Sequence, residues 1–179
     1  LGYVQKKKGQ AFCLPCTPGR YSNQTGQSEC FNCAIGKSSR TVARNQSCLN
    51  CGVGEYMKKQ GAVNCLGCNP GDYQNATGKQ SCQTCSKNTF TNTSGLSSCY
   101  PCSRGKKADR GSAKCSICGA GESGTGQNGA CEKCAAGQAR AADDGTTDSC
   151  MACSPGYYQE KRGQASCLPC IPGKYQANI

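Results

Sequence analysis

Cys13-Leu14-Pro15-Cys16 holds two thiols three residues apart, a spacing that serves zinc binding, thiol–disulfide exchange or structural cross-linking. The pair recurs down the whole chain, its second member falling at Cys33, Cys51, Cys68, Cys85, Cys102, Cys118, Cys134, Cys153 and Cys170. All 20 cysteines belong to ten such pairs, whose first members lie 16 to 19 residues apart. A fixed period of that length marks a tandem array.

The three chemistries differ in what they ask of the linkers. Zinc sites of four cysteines would couple the pairs two by two, so alternate linkers should differ systematically, and they do not. Redox catalysis needs one reactive pair inside a strand–helix unit, and no such unit surrounds any of these. No metal or other cofactor is expected. Structural disulfides remain, and a translationally uniform scheme allows two patterns. One closes each Cys-x-x-Cys on itself in a tight, strained ring; the other joins the second cysteine of a pair to the first of the next. The second pattern gives Cys16–Cys30, Cys33–Cys48, Cys51–Cys65, Cys68–Cys82, Cys85–Cys99, Cys102–Cys115, Cys118–Cys131, Cys134–Cys150 and Cys153–Cys167. It leaves Cys13 and Cys170 to bond with cysteines outside the sequence, which begins and ends in mid-repeat and reads as a window on a longer array. With no His and only scattered carboxylates, no acid–base or nucleophilic constellation exists, so no enzyme activity is expected.

Three further positions organise each repeat. A Gly stands three residues after the second cysteine, replaced once by Asn88, and a left-handed turn is expected there. Two residues later comes an aromatic in six repeats (Tyr21, Tyr56, Tyr73, Phe90, Tyr158 and Tyr175). A second Gly commonly precedes the next cysteine by four, as at Gly26, Gly61 and Gly78. Short segments between turn glycines predict small antiparallel hairpins, and no run has the period of a helix. The fold class expected is therefore small disulfide-rich β, a linear array of short hairpins forming an extended rod. Its units run 1–13 (the back half of a repeat), then 14–30, 31–48, 49–65, 66–82, 83–99, 100–115, 116–131, 132–150 and 151–167, with 168–179 a truncated front half. Residues 103–149 loosen the pattern. Lys107, Ser123 and Ala139 replace the aromatic there, and Asp143, Asp144 and Asp148 form the one acidic cluster.

Composition agrees with a scaffold stapled by covalent links. Without the cysteines roughly a quarter of the residues are apolar, too few for a shared core, and there is no Trp. Such cysteine density belongs to an oxidising, extracellular compartment. No stretch is apolar enough to insert in a membrane. The net charge of +11 is spread over turns, with Lys6, Lys7 and Lys8, then Lys58 and Lys59, then Lys161 and Arg162 at equivalent places before a glycine. A denser cluster runs Arg104, Lys106, Lys107, Arg110 and Lys114. Few aromatics accompany these charges, so nucleic acid is not the expected partner; solvated turns are the first reading and contact with a polyanion the second.

The phrase Cys16-Thr17-Pro18-Gly19-Arg20-Tyr21, repeated as Cys153-Ser154-Pro155-Gly156-Tyr157-Tyr158, resembles the ephrin-receptor-like and growth-factor-receptor-like cysteine-rich repeats. It is also similar to the first module of tumour-necrosis-factor-receptor cysteine-rich domains. The resemblance covers essentially the whole chain. It implies the same bridge pattern, aromatics packed on disulfides, and repeats stacked into rods, as in large surface proteins of protists and algae.

Asn23, Asn45, Asn75 and Asn92 begin Asn-x-Ser/Thr sequons and are the expected N-glycosylation sites, with O-linked glycans a further class. Asn23, Asn75 and Asn92 each follow the second cysteine of a pair by seven residues, the expected hairpin tip. Together these features point to a secreted or cell-surface structural glycoprotein, part of a fibril, filament or stalk. Its expected partners are further repeats of the same chain, copies of itself or neighbouring surface proteins. The alternative is a receptor or adhesion ectodomain binding a protein or glycan ligand.

Overall fold

The computed structural model describes residues 1–124, 129–142 and 149–173. Among them there is no helix, and twenty short strands pair two by two into antiparallel hairpins. Hairpin 1 pairs Tyr3–Val4 with Leu14–Pro15, hairpin 2 Arg20–Tyr21 with Phe31–Asn32, and hairpin 3 Lys37–Ser38 with Leu49–Asn50. Hairpin 4 pairs Glu55–Tyr56 with Leu66–Gly67, hairpin 5 Asp72–Tyr73 with Gln83–Thr84, and hairpin 6 Thr89–Phe90 with Tyr100–Pro101. Hairpins 7 and 8 pair Lys106–Lys107 with Ser116–Ile117 and Glu122–Gly124 with Cys131–Lys133. Hairpins 9 and 10 pair Gln138–Ala139 with Met151–Ala152 and Tyr157–Tyr158 with Leu168–Pro169.

The returning strand of nearly every hairpin is the pair of residues between two cysteines. Four extended residues put the flanking Cα atoms about 10 Å apart, beyond the roughly 7 Å a disulfide can span, and on opposite faces. A Cys-x-x-Cys held this way cannot close on itself. Each pair therefore sends one cysteine back and one forward.

The glycine before each described hairpin is left-handed, from Gly2 at φ 78° to Gly156 at 85°, and Asn88 takes its place at 64°. The expectation at Asn88 is met because a short polar side chain tolerates that region better than most.

The chain divides into two compact units. The first comprises Leu1–Thr84 and Thr91–Cys99, the second Cys85–Phe90 and Tyr100–Ile179. Neither has a conventional apolar core. In the first unit the fully buried side chains are Cys16, Cys33, Cys51, Cys68, Ser22 and Thr91; in the second they are Cys85, Cys102, Cys118, Cys134 and Arg140. Disulfide sulfur stands where leucine and phenylalanine would be in a larger domain. The aromatics are peripheral by comparison. Tyr21, Tyr56, Tyr73, Phe90 and Tyr158 are half-buried and sit opposite the first residue between the cysteines of the returning strand. Where that partner is also aromatic the rings meet at a tilt, with centroids 5.7 Å apart for Tyr21–Phe31 and 6.2 Å for Phe90–Tyr100. Tyr175 and the acidic cluster Asp143, Asp144 and Asp148 lie outside the described residues.

Candidate functional site

The chemistry of this chain is in its joints. Eight disulfides are described: Cys16–Cys30, Cys33–Cys48, Cys51–Cys65, Cys68–Cys82, Cys102–Cys115, Cys118–Cys131, Cys134–Cys150 and Cys153–Cys167. Cys85 and Cys99 are disulfide-bonded as well. Each described bridge leaves the end of one hairpin and enters the next one just before its returning strand. Cys16 closes hairpin 1, its N–H donating to the Gly2 carbonyl, while Cys30 lies beside Phe31 in hairpin 2. Bridges are thus ties between hairpins rather than staples within them. Cys13 and Cys170 carry free thiols, Cys13 exposed and Cys170 half-buried.

Backbone hydrogen bonds run alongside the bridges. The Gly19 N–H donates to the Ser39 carbonyl at 2.8 Å, and the Ser39 N–H donates onward to the Ala62 carbonyl at 3.1 Å. Gly36, Met57 and Lys79 repeat the relation one hairpin later. So do Gly121, Arg140 and Gln164 in the second unit. The residue in the middle of each chain is the one directly after the aromatic position, and it is buried whatever its type: Ser22, Ser39, Met57, Gln74, Thr91, Ala108, Arg140 or Gln159. A third link reaches two hairpins on. The Gly61 N–H donates to the Cys33 carbonyl, Gly78 to Cys51, Gly95 to Cys68 and Gly163 to Cys134. Sequence reasoning missed both the buried position and the reach to the second neighbour. The buried position has no residue type to betray it, because its backbone makes the contacts.

At this position some side chains clamp the loop above them. In hairpins 1, 5 and 10 the residue is Gln5, Gln74 or Gln159. Its amide N–H₂ donates to the carbonyl of Phe12, Ser81 or Ser166, and its amide oxygen accepts from the N–H of Lys7, Ala76 or Lys161. Arg140 does something different. Hairpin 8 has only Ser123 and Gly124 where hairpins 2, 4, 5, 6 and 10 carry an aromatic and a larger buried residue. Arg140 of hairpin 9 lies back against it, donating to the carbonyls of Cys118 (3.5 Å), Gly119 (2.8 Å) and Glu122. Lys107, which replaces the aromatic in hairpin 7, pairs with Glu122 at 2.6 Å. The Lys107 ammonium is the main cause holding the Glu122 carboxyl below its ordinary range; the Gly119 N–H adds to it and partial burial opposes it. The central hairpins thus replace aromatic cover with charge.

The loops carry the exposed chemistry. Asn23, Asn45, Asn75 and Asn92 are all exposed. Asn23, Asn75 and Asn92 follow the buried residue directly, so the Asn starts the loop and Thr25, Thr77 or Ser94 stands at its tip, just before the left-handed Gly26, Gly78 or Gly95. The expected position at the tip is thus corrected by two residues. Asn75 additionally accepts from the Gln83 amide at 3.2 Å. The basic residues Lys6, Lys7, Lys8, Lys58, Lys59, Arg110, Lys161 and Arg162 are exposed on the corresponding tips of hairpins 1, 4, 7 and 10. Grooves between successive hairpins are shallow and recur at equivalent places: between hairpins 3 and 4 beside Ser39 and Glu55, between 4 and 5 beside Tyr56 and Asp72, and between 9 and 10 beside Met151 and Tyr157. Recurrence makes them a product of stacking.

The family model described as tyrosine-protein kinase ephrin type A/B receptor-like matches residues 54–98 and 141–179. Those two stretches match ephrin-receptor-like cysteine-rich repeats. Outside the match lie 1–53, which still carries Tyr21, and 99–140, where Lys107, Ser123 and Ala139 hold the aromatic position. No curated protein matches the chain. Ephrin-receptor-like repeats are extracellular modules and typically non-enzymatic. Among the described residues no helix is long and apolar enough to cross a membrane.

Proposed function

We propose that this chain is a structural element of an extracellular surface, a length of rod in a fibril, filament or stalk. The observation that supports this most is that the joints at Cys16, Cys33, Cys51, Cys68 and Cys134 are each made three times over: a disulfide and a backbone relay to the next hairpin, and a hydrogen bond to the one after. A stack so tied resists bending and proteolysis while spending its cysteines entirely on continuity. Cys13 and Cys170 continue the ladder into neighbouring repeats. N-linked glycans on Asn23, Asn45, Asn75 and Asn92 keep the loops hydrated, and partners are further repeats of the chain, other copies or adjacent surface proteins.

Small-angle scattering on the secreted protein tests the rod. Ten hairpins of two strands advance about 100 Å, which gives a radius of gyration of about 30 Å; a globule of this length has about 16 Å. A value near the smaller figure removes the proposal. The receptor-like description of the family favours a second reading, an ectodomain that presents one side to a ligand. Self-assembly of the purified array supports the structural reading, and saturable capture of one protein by a monomeric array supports the other.

A further inference from the structure

The loop tips are not chemically uniform. Hairpins 1, 4, 7 and 10 carry basic tips: Lys6-Lys7-Lys8 before Gly9, Lys58-Lys59 before Gln60-Gly61, Arg110 before Gly111, and Lys161-Arg162 before Gly163. Hairpins 2, 5 and 6 carry sequons at the same place. Hairpin 3 also carries arginines in its loop, but they are engaged within the fold, Arg40 donating to the Asn64 side chain and Arg44 to the Ser47 carbonyl. Each tip residue next to the left-handed glycine is raised on a turn, as where the Ser112 N–H donates to the Asp109 carbonyl at 3.1 Å around Arg110 and Gly111 (φ 76°). In hairpins 1 and 10 the tip is held by the Gln5 and Gln159 clamps, which bond the Lys7 and Lys161 N–H groups and leave the side chains outward. Among the described residues the ion pair is Lys107–Glu122, and none of the tip cations takes part in one.

We propose that these tips are binding sites for an acidic polysaccharide, a sulfated or carboxylated glycan chain that meets the two basic tips within a unit, those of hairpins 1 and 4 in the first and of hairpins 7 and 10 in the second. A linear polyanion matches a repeated cation because one chain offers charge at short, regular intervals and releases counterions at each contact. Turn-mounted Lys and Arg engage sulfate and carboxylate without needing a pocket, which suits a surface whose grooves are shallow. Nucleic acid fits less well, since the tip residues named include no aromatic on which a base could stack. The inference stands apart from the rod, because tips bind a polyanion whether the array is structural or a receptor.

The test uses heparin as the probe at about 0.15 M salt. A tip variant combines K8Q, K59Q, R110Q and R162Q. A matched variant removes the same number of charges at exposed positions away from the tips: R20Q, K87Q, K106Q and K114Q. The tip variant is expected to weaken heparin binding at least tenfold and flatten its dependence on salt, and the matched variant to change it less than twofold, both keeping wild-type circular dichroism. Equal losses in the two variants would show attraction to net charge only and overturn the proposal. Single-stranded DNA or phosphatidylserine vesicles binding as tightly as heparin, with the same sensitivity to the tip variant, would overturn the polysaccharide assignment.

Discussion

Gly36 lies against Gly78 so closely that a Cβ built on it would stand 2.1 Å from the Gly78 carbonyl oxygen. The two residues belong to hairpins 3 and 5, so this glycine is both a left-handed turn and the surface on which the second neighbour rests. Gly19 meets Gly61, Gly54 meets Gly95, and Gly121 meets Gly163 in the same way. These four glycines therefore have two reasons to be glycine, whereas Gly156, with nothing within 4 Å of its Cβ, has only the left-handed turn, so the two reasons can be separated.

Gly36→Ala carries both the left-handed penalty and the clash, while Gly26→Ala, with nothing within 4 Å of its Cβ, carries only the first. The expected losses are about 3 kcal/mol or more for Gly36→Ala and about 1 kcal/mol for Gly26→Ala. Denaturant unfolding with disulfides intact measures both. Equal losses would mean that contact with the second neighbour contributes nothing.

Ser39 tests whether the buried position acts through its backbone. Its N–H and carbonyl are both used between hairpins, whereas its hydroxyl accepts one long bond from the Thr41 N–H at 3.3 Å. Ser39→Ala is expected to cost less than about 1 kcal/mol and Ser39→Pro about 3 kcal/mol or more. Comparable costs in the two variants would assign the position to its side chain.

Arg140 should be the costliest arginine to truncate. Arg140→Ala leaves the carbonyls of Gly119 and Glu122 without the guanidinium. A loss of about 3 kcal/mol is expected, against less than about 0.5 kcal/mol for exposed Arg20→Ala. Similar small effects would show that Arg140 does not stand in for the missing aromatic cover.

The Lys107–Glu122 pair gives a pH signature. Because the folded carboxyl is depressed, the stabilisation is present above the ordinary carboxylate range and lost as pH falls through the depressed value. Lys107→Gln should move the Glu122 titration upward in side-chain NMR and remove the pair's share of the acid dependence. The pair is partly exposed, so the effect on stability is modest and shrinks with salt. An unmoved titration would assign the shift to Gly119 alone.

What could be read from sequence follows from which positions demand a residue type. Gly36 and Asn88 are legible because a left-handed backbone selects them, and hairpins follow from turn glycines flanking short strands. Ser39, Met57 and Arg140 occupy one structural position and look unrelated, because that position is defined by an N–H and a carbonyl that nearly any residue supplies. The aromatics misdirect for the opposite reason. Tyr21 and Tyr158 stand out by type yet lie half-buried at the margin, while cysteine sulfur fills the centre. The sequons were legible as motifs, but their phase, with Thr25 at the tip and Asn23 at the loop's start, required the register of the hairpin.

The central claim is that every described bridge ties one hairpin to the next. Proteolysis without reduction, followed by mass spectrometry of the joined peptides, tests it directly. The account predicts peptides linked through Cys16–Cys30, Cys51–Cys65 and Cys118–Cys131, each bond closing a loop worth about 3 kcal/mol. Bonds within a Cys-x-x-Cys, such as Cys48 to Cys51 or Cys115 to Cys118, would contradict it.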